Sequence, residues 1–204
     1  MTDVLAGRDP DRLLGLLVLD GLVVRRVEAV DRVGVELLGA GDFVRPWDPH
    51  SELGSVPARI AWLAVTQTRV ALVDDDVQHI VSRFPAVLRN LVGRAARRAD
   101  ALALSLAVAQ LPRVDARLLV LFWHLADRFG SVERDGVVVS LPLSHATLAQ
   151  LVFARRPTVT RALQDLAARG VLSRAPGGRW VLRGNPPASA VDVTGGRRAG
   201  ALRA

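Results

Sequence analysis

Arg155, Arg156 and Arg161, with Pro157, Thr158 and Thr160 among them, are the densest patch of chemistry in the chain. A guanidinium stays charged and carries its donors in a planar fork that suits phosphate oxygens and the paired acceptors of a guanine edge. Threonine hydroxyls add neutral contacts to phosphate. If the stretch is helical, Val159, Ala162, Leu163 and Leu166 recur on one side and leave the arginines and threonines on the other. Pro157 is tolerated in a first helical turn, where amides have no intrahelical partner, and Gly170 is a natural stop. The pattern is that of a helix held by one face and free to enter a nucleic-acid groove with the other.

Such a helix needs support, and its neighbours read as that support. Residues 141–169 form two short amphipathic helices joined by a turn. Ser144 is placed to cap the first, whose apolar face is Leu148, Leu151 and Val152. Upstream, residues 114–129 predict a helix with Leu118, Leu119, Phe122, Trp123 and Leu125 on its apolar side and Gly130 as its stop. Residues 137–141 predict a short strand. Downstream, residues 171–174 and 179–183 predict a hairpin across Pro176, Gly177 and Gly178. Helix, strand, helix, helix and hairpin in that order make a winged helix-turn-helix, here residues 112–184. Residues 185–204 lack periodicity and are expected to be a disordered tail.

The first part of the chain has a different period. Residues 14–21, 22–27, 32–38, 60–65 and 69–73 read as short strands, with Asp20-Gly21 as a hairpin turn and residues 43–53 as loop. They predict a small barrel or sandwich over residues 1–76. From Asp75 the period becomes 3.6, with Asp74, Asp75 and Asp76 able to cap and charge a helix start. Phe84, Leu88, Leu91, Ala95, Ala99, Leu102, Leu106 and Ala109 form a seam at steps of three or four, flanked by Arg83, Arg89, Arg94, Arg97 and Arg98. A helix lying on the β-domain and a helix pairing with a second copy both fit. The narrow, small-residue seam favours pairing over residues 77–111, with a break near Phe84-Pro85 and an end at Pro112. The fold class is therefore α+β.

Charge separates the two parts. Residues 141–204 hold ten arginines against Asp165 and Asp192, a net of +8, while residues 1–140 come to −1, consistent with the formal +7. A nearly neutral body with a basic end calls for a polyanion at that end; a solvated basic surface is the plainer alternative. All 27 basic residues are arginine, and with no cysteine there is no disulfide or thiolate metal site. His50, His79, His124 and His145 lie far apart without metal-ligand spacing, and His124 reads as a packing residue. Nucleophile-elbow and phosphate-loop patterns are absent, so an enzyme and a cofactor are not expected. Trp47 and Trp62 read as β-domain interior. The acidic, proline-broken start lacks the form of a signal peptide, and no apolar run is long enough to span a bilayer, so a cytoplasmic protein is expected.

On these motifs the chain resembles the Crp/Fnr family of bacterial transcription regulators, most specifically over residues 115–127 and 141–172. The resemblance implies a β-rich sensor domain of jelly-roll type, a long dimerisation helix and a DNA-binding winged helix. It also implies double-stranded DNA, a second copy and RNA polymerase as partners, with a small-molecule effector for the sensor domain. Carried over by position, Arg156, Pro157 and Arg161 face base edges. Ser144, His145, Arg155, Thr158 and Thr160 lie on the DNA backbone, with Arg179 of the wing beside them. Three departures stand out. Pro157 replaces a glutamate that accepts from cytosine, and Phe153 replaces the glycine of the turn, which implies an altered turn backbone. The cyclic-phosphate cradle, Gly-Glu followed by Arg-Ser-Ala or Arg-Thr-Ala, is matched poorly by residues 52–54 and 56–60, where Pro57 removes an amide.

Overall fold

A computed structural model of the chain describes Asp9 and residues 12–45 and 56–187. It divides into two compact units, Met1–Ala103 and Leu104–Ala204. Trp47, His50 and the stretch around Glu52 and Gly54 lie outside the described residues, as does the tail from residue 188.

The first unit contains six strands: β1 (Leu13–Asp20), β2 (Leu22–Ala29), β3 (Arg32–Gly39), β4 (Phe43–Val44), β5 (Ala58–Ala64) and β6 (Arg69–Asp74). They form two three-stranded antiparallel sheets, β4-β1-β6 and β3-β2-β5. Leu16, Val44, Val70 and Leu72 of one sheet share a core with Val23, Leu38 and Trp62 of the other. The sheets do not close into a barrel among the described residues, and the arrangement is jelly-roll-like.

This pairing corrects the hairpin read at Asp20-Gly21. β1 and β2 belong to different sheets, so the chain crosses from one layer to the other at that point. Gly21 is needed for the crossing: its φ is +92°, and a Cβ there would strike the Gln67 carbonyl and Thr68. The return crossing between β5 and β6 is tied to the first, because Leu22 N–H donates to Thr66 Oγ1 at 2.9 Å and Val65 N–H to the Leu22 carbonyl at 2.8 Å. The true hairpin joins β2 to β3 through Val30 and Asp31, both at positive φ, a turn with no glycine to announce it. Phe43 and Val44, read as loop, pair with β1, and Gly15 leaves room for the Phe43 ring.

Asp74 caps α1 (Asp75–Ser82) by accepting from the Val77 amide. Arg83 and Phe84 interrupt the helix, and α2 (Pro85–Ala109) follows for 25 residues. One stripe of α2 is held by the first unit. Leu91 is buried, Arg94 donates to the Gly41 carbonyl at 2.8 Å, and Arg98 grips Glu36 through Nε and Nη2. The bidentate pair raises the Arg98 pKa against the opposing effect of burial. Leu91 therefore leaves the predicted seam, and Val92, 61% exposed, takes its place.

In the second unit α3 (Val114–Phe129) is the spine, with Leu118, Leu119, Phe122 and Leu125 buried. Gly130 ends it in extended rather than left-handed backbone and is small because a Cβ would meet the Ala126 carbonyl. Four strands follow around two helices: β7 (Gly130–Glu133), β8 (Gly136–Val139), α4 (His145–Leu151), α5 (Arg156–Ala168), β9 (Leu172–Arg174) and β10 (Trp180–Leu182). The sheet order is β7-β8-β10-β9. Trp180 stacks at 47° on Phe122 with centroids 4.8 Å apart, fixing the sheet to the spine. β7 was not foreseen, since Gly130 read only as a stop.

Candidate nucleic-acid interface

The helix-turn-helix begins at Ser144, whose hydroxyl accepts from the Thr147 amide at 3.0 Å and closes the first turn of α4. Leu148 and Val152 are fully buried and Leu151 partly so. α5 buries Val159, Ala162, Leu163 and Leu166, the four positions its spacing selects. Gly170, at φ +72°, ends it, with Val171 N–H returning to the Leu166 carbonyl and Gly170 N–H to the Ala167 carbonyl. On the opposite side Arg155, Arg156, Pro157, Thr158 and Arg161 are all exposed. Pro157 lies in the first turn, so the missing amide leaves no helical bond unmade.

Two other residues expected on the DNA backbone face each other. His145 Nδ1 lies 3.0 Å from Thr160 Oγ1, and that hydroxyl donates to the Arg156 carbonyl at 3.1 Å. A hydroxyl has one proton, so Thr160 accepts from the ring, and Nδ1 carries the hydrogen. His145 Nε2 is the nitrogen left for other partners. In the wing, Gly177 and Gly178 both take φ of +77°, turning β9 into β10. Arg179 is paired with Glu133 of β7 at 3.2 Å, both about half exposed.

Two polar clamps that the sequence did not disclose, one on the buried Asp115 and one on the half-buried Arg117, position these elements. Asp115, at the start of α3, accepts from Arg113 Nε and Nη2 at 3.0 and 2.8 Å and from Arg169 Nη1 at 3.1 Å. Burial pushes the Asp115 carboxyl up, but the bonds and charge of Arg113, with Arg169 behind them, hold it below the ordinary carboxylate value. Arg169, the last residue of the two-helix stretch read from the sequence, thus turns to the spine. The second clamp is Arg117. Its Nε donates to the Leu111 carbonyl at 2.6 Å and its Nη1 to the carbonyls of Val152 at 3.1 Å and Phe153 at 3.3 Å.

The turn itself keeps the left-handed backbone that glycine would give. Phe153 sits at φ +52° and is 44% exposed, so the expected change of backbone is not found; the substitution is carried as strain. His124 is a half-buried packing residue whose pKa is lowered by burial and then by Arg128. Arg59, from the poorly matched cradle, is exposed on β5 opposite Glu28. Among the described residues no group of histidines and acids could hold a metal ion, and no helix is long and apolar enough to cross a membrane.

Residues 116–184 match the model of the Crp-like helix-turn-helix domain. Over 107 residues the chain is 33% identical to a CRP-like cAMP-activated global transcriptional regulator of Mycobacterium tuberculosis, covering 52% of this chain. It spans about half, 48%, of the length of that relative. Similar solved structures extend the likeness of fold across both units. A transcriptional regulator of the CRP family from Thermus thermophilus matches with a TM-score of 0.61 at 23% identity, covering 86% of this chain and 85% of its own. The c-di-GMP responsive global regulator CLP of Xanthomonas campestris matches with a TM-score of 0.60 at 22% identity, covering 85% and 86%. A variant of CooA from Carboxydothermus hydrogenoformans reaches 0.64 at 23%, covering 84% and 75%. With the helix-turn-helix geometry and the wing behind it, these matches identify residues 116–184 as a Crp-like helix-turn-helix domain and give the chain a fold similar to that of CRP-family regulators.

Proposed function

We propose that this chain is a dimeric, sequence-specific DNA-binding transcription regulator in which α5 enters the major groove. The observation that carries the reading is the division of α5: four apolar side chains buried against the spine, and Arg155, Arg156, Pro157, Thr158 and Arg161 exposed on the other side. Arg156 and Arg161 are assigned to base edges, with Pro157 between them, and Ser144, His145, Arg155 and Thr158 to phosphates. Thr160 acts through His145, whose ring it orients. Arg179 contacts phosphate once released from Glu133.

Dimerisation rests on α2. Leu88, Val92, Ala95, Ala99, Leu102 and Leu106 are exposed at steps of four and three, the spacing of a coiled-coil seam, opposite the stripe that Leu91, Arg94 and Arg98 hold against the first unit. A second copy of the same helix covers such a seam with like residues. A small-molecule effector for the first unit and RNA polymerase complete the expected partners. Titration of the full chain with random duplex DNA at two salt concentrations tests the function. Binding that weakens steeply with salt is expected, and its absence would favour a ligand-sensing or protein-interaction module whose winged helix no longer reads DNA, the reading that the exposed Phe153 ring supports.

A further inference from the structure

Phe153 holds a backbone conformation that L-residues with a Cβ rarely adopt, at the turn that sets the angle between α4 and α5. Strain of that kind persists only where the surroundings over-determine it. One side chain in contact with the turn has the geometry to do so. Arg117, on the spine, sends Nη1 to the carbonyls of the left-handed residue and its predecessor, Phe153 and Val152. The Nε–H of the same guanidinium is fixed to the Leu111 carbonyl, in the segment between α2 and α3. Because the fork is planar, a guanidinium anchored at Nε presents Nη1 in one direction only, and a lysine cannot reproduce this.

Resting on the DNA-reading assignment above, we propose that Arg117 is a positioning residue for recognition: it holds the strained turn, and thereby the exposed face of α5, in the reading geometry, and it is required because residue 153 is not glycine. Arg117 is half-buried beneath the turn, and its hydrogen bonds reach no residue assigned to DNA. Its role is therefore visible as a coupling to Phe153 rather than as lost charge. With glycine at 153 the left-handed turn is intrinsically accessible and the clamp becomes dispensable. With alanine the Cβ, and so the strain, is retained.

The test is a cycle in the full chain: Arg117→Met, Arg117→Lys, Phe153→Gly, Phe153→Ala and the combinations of each Arg117 variant with each variant at 153. The readouts are affinity for an operator selected from a random pool, affinity for random DNA, and thermal melting. Where residue 153 is phenylalanine or alanine, Arg117→Met and Arg117→Lys should lower the ratio of operator to random-DNA affinity by about tenfold, the scale of a charge-assisted hydrogen bond. Where residue 153 is glycine the same loss should shrink to under about threefold, while random-DNA binding stays level throughout. Equal losses in every background would overturn the proposal, as would a lowered melting temperature with an unchanged affinity ratio. If the unaltered chain binds no DNA, the functional reading fails and the positioning role with it, whereas the melting cycle still reports whether Arg117 and Phe153 are coupled.

Discussion

Helices α2 and α5 each present one face that the described chain leaves exposed, and the two faces differ in kind. On α2 the covered stripe is partly polar, Arg94 and Arg98 bonded to Gly41 and Glu36, while the open stripe is apolar. On α5 the covered stripe is wholly apolar and the open one cationic. An exposed apolar seam lowers its free energy by meeting another apolar surface, whereas exposed guanidinium groups already hydrated gain most from a dense row of anions. In the proposed function the contrast assigns each helix its partner: α2 a second copy of itself, α5 a polyanion. Neither conclusion needs the total charge of the chain. Each follows from which face folding has used.

The largest effect should come from spoiling the apolar face. Ala99→Glu with Leu102→Glu places like charges across the seam, and sedimentation should report monomers. Loss of the second half-site contact should then lower operator affinity by about 10²–10⁴-fold. A dimer that survived the pair of substitutions would show that α2 is not the interface.

Next comes the buried anchor behind the cationic face. Asp115→Asn exchanges charge-assisted bonds to Arg113 and Arg169 for neutral ones and should destabilise the second unit by about 1.5–3 kcal/mol, read by denaturant melting. The sign with pH is fixed by the depressed carboxyl of Asp115. Its contribution is full above the unfolded-state value of about 4 and is lost as pH falls through the lower folded value. The gap between the original protein and the Asn variant should therefore close in acid; a gap that widened would reject the clamp.

Arg161→Ala should weaken operator binding by about 1–3 kcal/mol and relax selectivity at one base position, as judged by repeating the selection. Unchanged selectivity would put base reading elsewhere. The smallest effect belongs to the wing. Glu133→Gln frees Arg179 and should strengthen binding to all sequences alike, steepening the salt dependence by up to about one unit of slope.

What could be read in advance followed the range of the interaction. The bounds of α3, the Ser144 cap, the buried quartet of α5 and the Pro176 hairpin are local matters of period, capping and turn residues, and they stand in the structure as read. The break before Pro85 is equally local. Strand pairing was not legible, because β1 finds β6 some fifty residues on and a glycine turn says that the chain bends, not into which sheet it goes. The Val30-Asp31 turn was hidden because it holds no glycine, and a β-branched valine is among the residues least suited to positive φ. Leu91 and Val92 are both apolar neighbours on α2, and only the position of the β-domain decides which of them is buried. Asp115, Arg117 and Arg169 carry no local pattern in the sequence that singles them out. Their partners across the fold lie tens of residues away, and no spacing rule reports a bond to a carbonyl in a turn.

The central claim is that two copies of the α5 face read DNA together. Selection of the full chain on a random duplex pool, followed by sequencing of the bound fraction, tests it most directly. The account predicts an inverted repeat whose half-sites lie about one helical turn, roughly 10 base pairs, apart, with guanines where Arg156 and Arg161 reach. Enrichment of no sequence, or of a single unrepeated half-site bound by a dimer, would contradict it.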